Sequence, residues 1–186
     1  MKKLIGCLLC LIWIINFAVE PFILPKIRQF TLGYYNNSLA GARPVEKSAA
    51  AVDRGAILMY DQEFFRYGEH FSINGGLSYS YWQRKGEYLF DAAIYPQLRF
   101  WLYMDSRFSP YLLLSVGPSG MSTSNFAGDQ LGSKFAFQDI LGICTRVGGQ
   151  KAVDFCGKFQ HYSNAGLGMP NHGFDVPLLF SLGYNF

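Results

Sequence analysis

The strongest constraint on the fold of this chain is strict alternation between bulky apolar residues and small or polar ones. In residues 71–82, the odd positions include Leu77 and Tyr79, whereas the even positions include Ser78 and Ser80. Residues 87–103 and 174–186 repeat the pattern. Successive side chains of a β-strand point to opposite faces, so each stretch has the pattern of a strand with one apolar and one polar face. The alternation therefore predicts an all-β protein.

A soluble β-sandwich also alternates, but three observations favour a membrane barrel. The predicted strands have about ten residues or more, against an average of five or six in globular proteins. The apolar faces carry aromatic residues near the strand ends, as the girdles of outer-membrane barrels do, and 17% of all residues are aromatic. The polar faces carry residues suited to a barrel interior: Asp91, Gln97, Arg99, Lys158 and Gln160. Closing a sheet into a barrel also satisfies every backbone group in lipid.

The alternation and the turn signals together predict an eight-stranded antiparallel transmembrane β-barrel of the bacterial outer membrane. The predicted strands are 27–36, 54–67, 70–82, 87–103, 109–118, 133–147, 152–164 and 174–186. Connections are short at one end of the barrel and mostly longer at the other, as expected for periplasmic turns and outer loops. Side chains fill a barrel of this size, so we expect no diffusion pore. Asp61 and Glu63 are predicted to form interior ion pairs with Arg99 and Lys158.

The first twenty residues are interpreted as a secretory signal peptide. Lys2 and Lys3 precede an apolar run over residues 4–19, which is the order of a signal's charged and hydrophobic regions. The cleavage site is placed near residues 18–21, and the barrel domain is placed at 21–186. A membrane anchor is the alternative, because the run is near the lower length limit for a spanning helix.

Two cysteines of the barrel domain lie on inward-facing positions of neighbouring predicted strands. Cys144 and Cys156 are about equally far from the turn between those strands. An oxidising compartment permits a disulfide, but sequence leaves its geometry open.

Composition argues against several classes of function. The net charge is +3, and the basic residues are scattered, whereas nucleic-acid binding requires concentrated positive charge. The sequence shows no metal-ligand cluster, phosphate-binding loop or nucleotide fingerprint. We therefore expect no nucleic-acid partner, no metal and no cofactor.

Residues with the chemistry of a hydrolase lie at the outer end of the last two predicted strands. His161 and Ser163 share the parity of the lipid-facing residues of their strand, and Asp175 begins the next strand. Polar residues on this face are tolerated in the headgroup zone, which is the simpler reading. The chemistry suits ester hydrolysis, with Ser163 as nucleophile, His161 as base and Asp175 as the residue that orients the imidazole. Asn164, Ala165 and Gly166 are the candidates for stabilising an oxyanion.

The motif containing these residues resembles that of the lipid A 3-O-deacylase (PagL) family. The matching segments are QHYSNAGL at 160–167, Pro and Asn at 170–171, Gly173 and an acid at 175. Weaker similarity covers GDQLGS at 128–133 and FQD at 137–139. The resemblance implies an eight-stranded outer-membrane barrel that removes the 3-linked hydroxyacyl chain of lipid A without a cofactor. It also implies a triad on the outside of the barrel, and by position this would be His161, Ser163 and Asp175.

The chain departs from the family pattern at the acid, and this residue raises a second question. The family usually has Glu where this chain has Asp175, which is one methylene shorter. Counting back from Phe186, Asp175 also falls on the inward face, opposite to His161. Because proline in a strand tends to mark a bulge, we predict that Pro177 accompanies a bulge or irregular strand start at 175–177.

The roles of Asp139 and His172, the oligomeric state and the exact function remain open from the sequence. Asp139 lies on apolar parity beside the strand of His161, so it either supports the site or marks an irregular register. His172 is interpreted as a solvated loop residue. The partners implied are the membrane and the lipid A of lipopolysaccharide, and homodimerisation is left open. The alternative functions are an outer-membrane phospholipase-type esterase and a catalytically inactive structural or adhesive barrel.

Overall fold

A computed structural model describes residues 27–38, 51–104, 107–149, 152–167, 169–170 and 172–186. The predicted signal peptide at 1–20 lies outside these residues. The described part of the chain forms ten strands, of which eight close into an antiparallel barrel. They are β1 (Arg28–Asn36), β2 (Arg54–Tyr67), β3 (Phe71–Arg84), β4 (Glu87–Trp101), β5 (Phe108–Met121), β6 (Asn125–Phe126), β7 (Asp129–Gln130), β8 (Phe135–Val147), β9 (Val153–Ser163) and β10 (Phe174–Asn185).

The closed barrel runs in the order β1-β10-β9-β8-β5-β4-β3-β2, so β1 and β10 pair to complete it. This arrangement confirms the predicted eight-stranded antiparallel barrel. The short β6–β7 hairpin lies in a segment that was predicted to be an outer loop. No helix among the described residues has the length and apolar character of a membrane span.

The alternation of the sequence becomes an alternation between the lumen and the outer surface. Along β3, for example, Ser78 and Ser80 are buried whereas Leu77 and Tyr79 are more than half exposed. Large apolar side chains cover the outer surface on all eight barrel strands. On β3 and β4, the rings of Tyr81 and Tyr88 stack with centroids 5.8 Å apart. The outer surface therefore has the apolar and aromatic character that lipid requires.

The lumen is packed with side chains and contains buried polar groups that pair with one another. Arg146 donates two hydrogen bonds to Asp154, at 2.8 and 3.0 Å. Asp61 Oδ2 lies 3.9 Å from Arg99 Nη2, which is the predicted ion pair. Glu63 instead pairs with Arg66, three residues away on the same strand, which corrects its predicted pairing with Arg99 or Lys158. The predicted ion-pair arrangement was wrong there because the partner was local.

A disulfide joins β8 and β9 inside the barrel. Cys144 and Cys156 are directly opposite each other in the register of the two strands, and their sulfurs are bonded. Both side chains are buried. The inward parity of the two cysteines therefore placed them correctly, and the pairing that the sequence left open is present.

Candidate active site

The centre of the site is a hydrogen bond between His161 and Asp175 on the outer surface of the barrel. The two residues are opposite each other in the register of β9 and β10. His161 Nδ1 lies 2.6 Å from Asp175 Oδ1. The side chains are 37% and 21% exposed, respectively, so the pair is accessible from outside while the carboxylate is partly shielded.

A β-bulge in β10 brings Asp175 to this face. Val176 is opposite Gln160 and Leu179 is opposite Lys158, so two residues of β10 face one residue of β9 between these pairs. One of these two residues of β10 is Pro177, which supplies no backbone N–H to the ladder. Val176 and Leu179 are both fully buried, which shows that the inward parity changes across the bulge. The predicted irregularity next to Asp175 is confirmed.

The end of the loop before β2 holds the outer end of β10. Ala51 forms a parallel bridge with Asp175, and the Val52 N–H donates to the Asp175 carbonyl oxygen at 3.0 Å. The ladder between β1 and β10 reaches only to the pair of Tyr34 and Phe180. The short bridge therefore supports the backbone of Asp175, which lies beyond the last residue of β10 that pairs with β1.

Ser163 ends β9 and is followed at once by a tight turn. It shares the outer face with His161, because residues two apart on a strand point the same way. In the turn, the Leu167 N–H donates to the Asn164 carbonyl oxygen at 3.0 Å. Ala165 and Gly166 both have positive φ, 53° and 77°, as the two central residues of a type I′ turn require. A left-handed alanine costs about 1–2 kcal/mol, so the surrounding contacts must hold the turn in place.

Asn164 shapes this turn from the inside of the barrel. Its side chain is 2% exposed, its Nδ2 donates to the Leu131 carbonyl oxygen at 3.0 Å, and its Oδ1 accepts from the Gly166 N–H at 2.9 Å. Asn164 and Ser163 border the same narrow crevice, and the role of Asn164 in stabilising an oxyanion stays a prediction.

Asp139 lies on the other side of His161 from Asp175. It is opposite His161 in a ladder between β8 and β9 that continues without a shift from Phe137 to Val147. The alternative reading of an irregular register at Asp139 was wrong. His161 is thus placed between acidic residues on both neighbouring strands.

Gly173 contributes to the site, although no role was predicted for it. A Cβ at this position would lie 2.4 Å from the Tyr162 carbonyl oxygen and 3.0 Å from His161 Cε1. The absence of a side chain therefore lets this segment approach both the backbone of β9 and the imidazole ring. The neighbouring His172 is exposed, as predicted, and borders a narrow crevice beside Ser163. The place of Gly173 in the quoted motif was the available signal.

Aromatic rings support the site from the lumen. Tyr162 and Phe174 are the inward neighbours of His161 and Asp175 and are opposite each other in the register. Their rings stack with centroids 4.4 Å apart. Phe126, from the unpredicted hairpin, packs edge-on against Phe174 at 5.4 Å. The Tyr162 hydroxyl donates to the buried Asp91 carboxylate at 3.0 Å. This packing fixes the strand segments that carry the outer pair.

The hydrogen bond to Asp175 orients the His161 imidazole. With Nδ1 of His161 donating to Asp175, the lone pair of Nε2 is available as a base. Among the described residues, no group of three or more His, Cys, Asp and Glu side chains is placed to hold a metal ion. The geometry therefore provides a base and its orienting carboxylate on the face that also carries the Ser163 hydroxyl.

Comparison with known proteins gives one family and a small set of relatives. Residues 55–185 match the family model described as lipid A 3-O-deacylase (PagL). The lipid A deacylase PagL of Bordetella bronchiseptica is 30% identical over 104 residues, which is 54% of this chain and 55% of that protein. The chain thus matches about half the length of this curated relative.

Two solved structures of outer-membrane proteins match the chain. The crystal structure of the outer membrane enzyme PagL matches with a TM-score of 0.58 and 19% identity, covering 87% of this chain and 98% of that one. The Yersinia pestis outer membrane protein Ail matches with a TM-score of 0.43 and 12% identity, covering 87% and 99%. At this level of identity, the first likeness concerns the barrel fold.

Proposed function

Because the chain belongs to the lipid A 3-O-deacylase (PagL) family, we propose that it hydrolyses the ester-linked 3-hydroxyacyl chain at the 3 position of lipid A. The protein is an outer-membrane barrel with the lipid A of the outer leaflet as the substrate. The reaction is that of a carboxylic ester hydrolase with a Ser-His-Asp triad formed by Ser163, His161 and Asp175. The observation that supports this assignment most directly is the 2.6 Å contact between His161 and Asp175 on the lipid-facing surface.

In the first step, Ser163 Oγ attacks the ester carbonyl carbon. Nε2 of His161 accepts the hydroxyl proton while Nδ1 keeps its hydrogen bond to Asp175. The carboxylate holds the tautomer and stabilises the imidazolium that forms. The tetrahedral intermediate then collapses, and His161 returns the proton to the sugar 3-oxygen as the alcohol leaves. The acyl chain remains as an ester on Ser163.

In the second step, a water molecule releases the fatty acid. His161 takes one proton from the water as its oxygen attacks the acyl carbon, and it returns the proton to Ser163 Oγ. The oxyanion of each step is assigned to backbone N–H groups of the turn at Ala165 and Gly166. A donor aimed at this charge typically contributes about 10²–10³-fold in rate. The Gly166 N–H would exchange its bond to Asn164 for this purpose.

The location of the site explains how a membrane enzyme would meet a membrane substrate. His161 and Ser163 lie at the outer end of β9, on the face that otherwise carries apolar side chains such as Phe155 and Phe159. A lipid in the outer leaflet can reach this face by lateral diffusion, and its chains need not leave the hydrocarbon. The complete triad comes from one chain, so the chemistry requires no second subunit.

The test is mass spectrometry of lipid A from Gram-negative cells that express the chain. We expect a loss of one 3-hydroxyacyl group with the unchanged protein and no loss with Ser163→Ala. Ser124→Ala is the matched control, because it makes the same substitution in the outer loop before β6. Unchanged lipid A in all three strains, with the barrel folded in the membrane, would contradict the proposal and favour the inactive barrel. Lysophospholipid formation would indicate the phospholipase reaction instead.

A further inference from the structure

A second apolar feature lies on the lipid-facing surface, across β8 from the triad. Residues of β3, β4, β5 and β8 border a groove of about 510 Å³. Its floor contains two small residues, Ala92 and Gly120, which are opposite each other in the register of β4 and β5. Tyr79 is opposite Ala92 on the far side, and Phe135 is opposite Gly120. Two ring-bearing residues therefore flank two small ones along one row of the barrel wall.

The packing of the protein does not require a glycine at this place. A Cβ on Gly120 would meet no atom within 4 Å, and the residue does not appear among those with positive φ. Other outward residues of the same strands, such as Ile94 on β4 and Val116 on β5, are large and 65% and 48% exposed. Outer-membrane barrels otherwise present bulky apolar residues to lipid. The small residues of this groove therefore leave a volume that a lipid chain must fill.

The groove lies close to the candidate nucleophile. Ser163 is opposite Phe137, and Phe137 is opposite Pro118, which lines the groove. Two strand spacings amount to about 10 Å. The rings of Phe135 and Phe137 meet edge-on with centroids 5.3 Å apart. They form a ridge with the triad on one side and the groove on the other.

The position and charge of the groove favour a lipid of the outer leaflet. Phe135 begins β8 at the same end of the barrel at which Ser163 ends β9. The exposed residue just before it is Lys134, which lies where an anionic headgroup would sit if its chain entered the groove. A second chain of a multi-chain glycolipid bound at Ser163 would start within reach of this groove.

We infer that the groove binds a second acyl chain of the same lipid whose ester is cleaved at Ser163, so that the substrate straddles the ridge of Phe135 and Phe137. This inference rests on the proposed function. Lipid tails are as apolar as the groove walls, so the groove acts by packing and orientation. Its contribution is to position the ester, and misplacement of a reacting group by about 1 Å can cost roughly 10²-fold.

The test compares Gly120→Leu with Val116→Leu in phospholipid vesicles that contain purified lipopolysaccharide. Both variants add apolar bulk to the outer face of β5, but only the first fills the groove. We expect kcat/KM for lipid A deacylation to fall by about tenfold in Gly120→Leu and to stay within about twofold of the unchanged protein in Val116→Leu. The rate of labelling by a fluorophosphonate with a single alkyl chain, which reports on Ser163, is expected to stay the same in both.

Other results of the deacylation and labelling assays would overturn the inference. Equal deacylation by Gly120→Leu and the unchanged protein would overturn the inference and would mean that the groove holds a bystander phospholipid chain or none. Equal losses of deacylation and labelling would also overturn it, since the substitution would then act through the triad. If Gly120→Leu does not fold, Ala92→Leu fills the same groove from β4. If the unchanged protein does not deacylate lipid A, the proposed function fails whatever the variants do.

Discussion

The acid of the proposed triad leads to a specific prediction: Asp175→Glu will lower activity, even though the motif resemblance implies Glu at this position. In the structure, Asp175 Oδ1 already lies 2.6 Å from His161 Nδ1. The bulge between Val176 and Leu179 sets the backbone at this distance. A longer side chain at the same backbone position must push the imidazole away or fold back on itself.

The size of the expected loss of activity follows from the added methylene of Glu, which lengthens the side chain by about 1.5 Å, the length of one carbon–carbon bond. A misplacement of about 1 Å typically costs about 10²-fold in rate. This corresponds to about 2.7 kcal/mol of transition-state stabilisation at 1.36 kcal/mol for each factor of ten. Asp175→Asn removes the charge altogether and is expected to cost more, about 10⁴-fold by analogy with the same change in a serine protease.

The assay is the initial rate of 3-hydroxy fatty acid release from lipopolysaccharide in vesicles, measured for the unchanged protein, Asp175→Glu and Asp175→Asn. The heat-dependent gel mobility of each barrel serves as the control for folding. The expected order of rates is Asp, then Glu, then Asn. A Glu variant that matches or exceeds the unchanged protein would refute the reasoning that the bulge compensates for the shorter acid.

Three other changes test the site and its supports. Gly173→Ala would place a Cβ 2.4 Å from the Tyr162 carbonyl oxygen and 3.0 Å from His161 Cε1. The backbone and the imidazole must then both shift, so deacylation should fall by at least tenfold in protein whose heat-dependent gel mobility shows a folded barrel. Replacing Cys144 and Cys156 with serine removes a cross-link over 12 residues, and the free energy of unfolding in urea should fall by about 3 kcal/mol; an unchanged midpoint would contradict this. Asp154→Ala leaves a buried arginine without its carboxylate, and we expect a loss of about 3–5 kcal/mol in the same measurement.

The barrel was predictable from the sequence because the face on which a strand residue lies depends only on its position along that strand. Period two assigns each side chain to the lumen or to lipid without knowledge of the neighbouring strand, and lipid requires the strands to close. For this reason the eight barrel strands, the polar interior and the outward position of Ser163 were predictable. The inward positions of Cys144 and Cys156 were predictable in the same way, whereas their bonding depended on the register between two strands.

The tertiary structure decided the features that depend on how strands pair. Local parity placed Asp175 in the lumen, and only the bulge opposite β9 moves it next to His161. Asn164 belongs to the matched motif, but its contact with Leu131 of the outer loop holds it inside the barrel. The groove at Gly120 arises where the consecutive strands β3, β4 and β5 meet β8 in the closed sheet. Sequence therefore determined which face each residue of a regular strand occupies, and the register between strands determined which residues meet, because pairing is set by the closed sheet and not by the local chain.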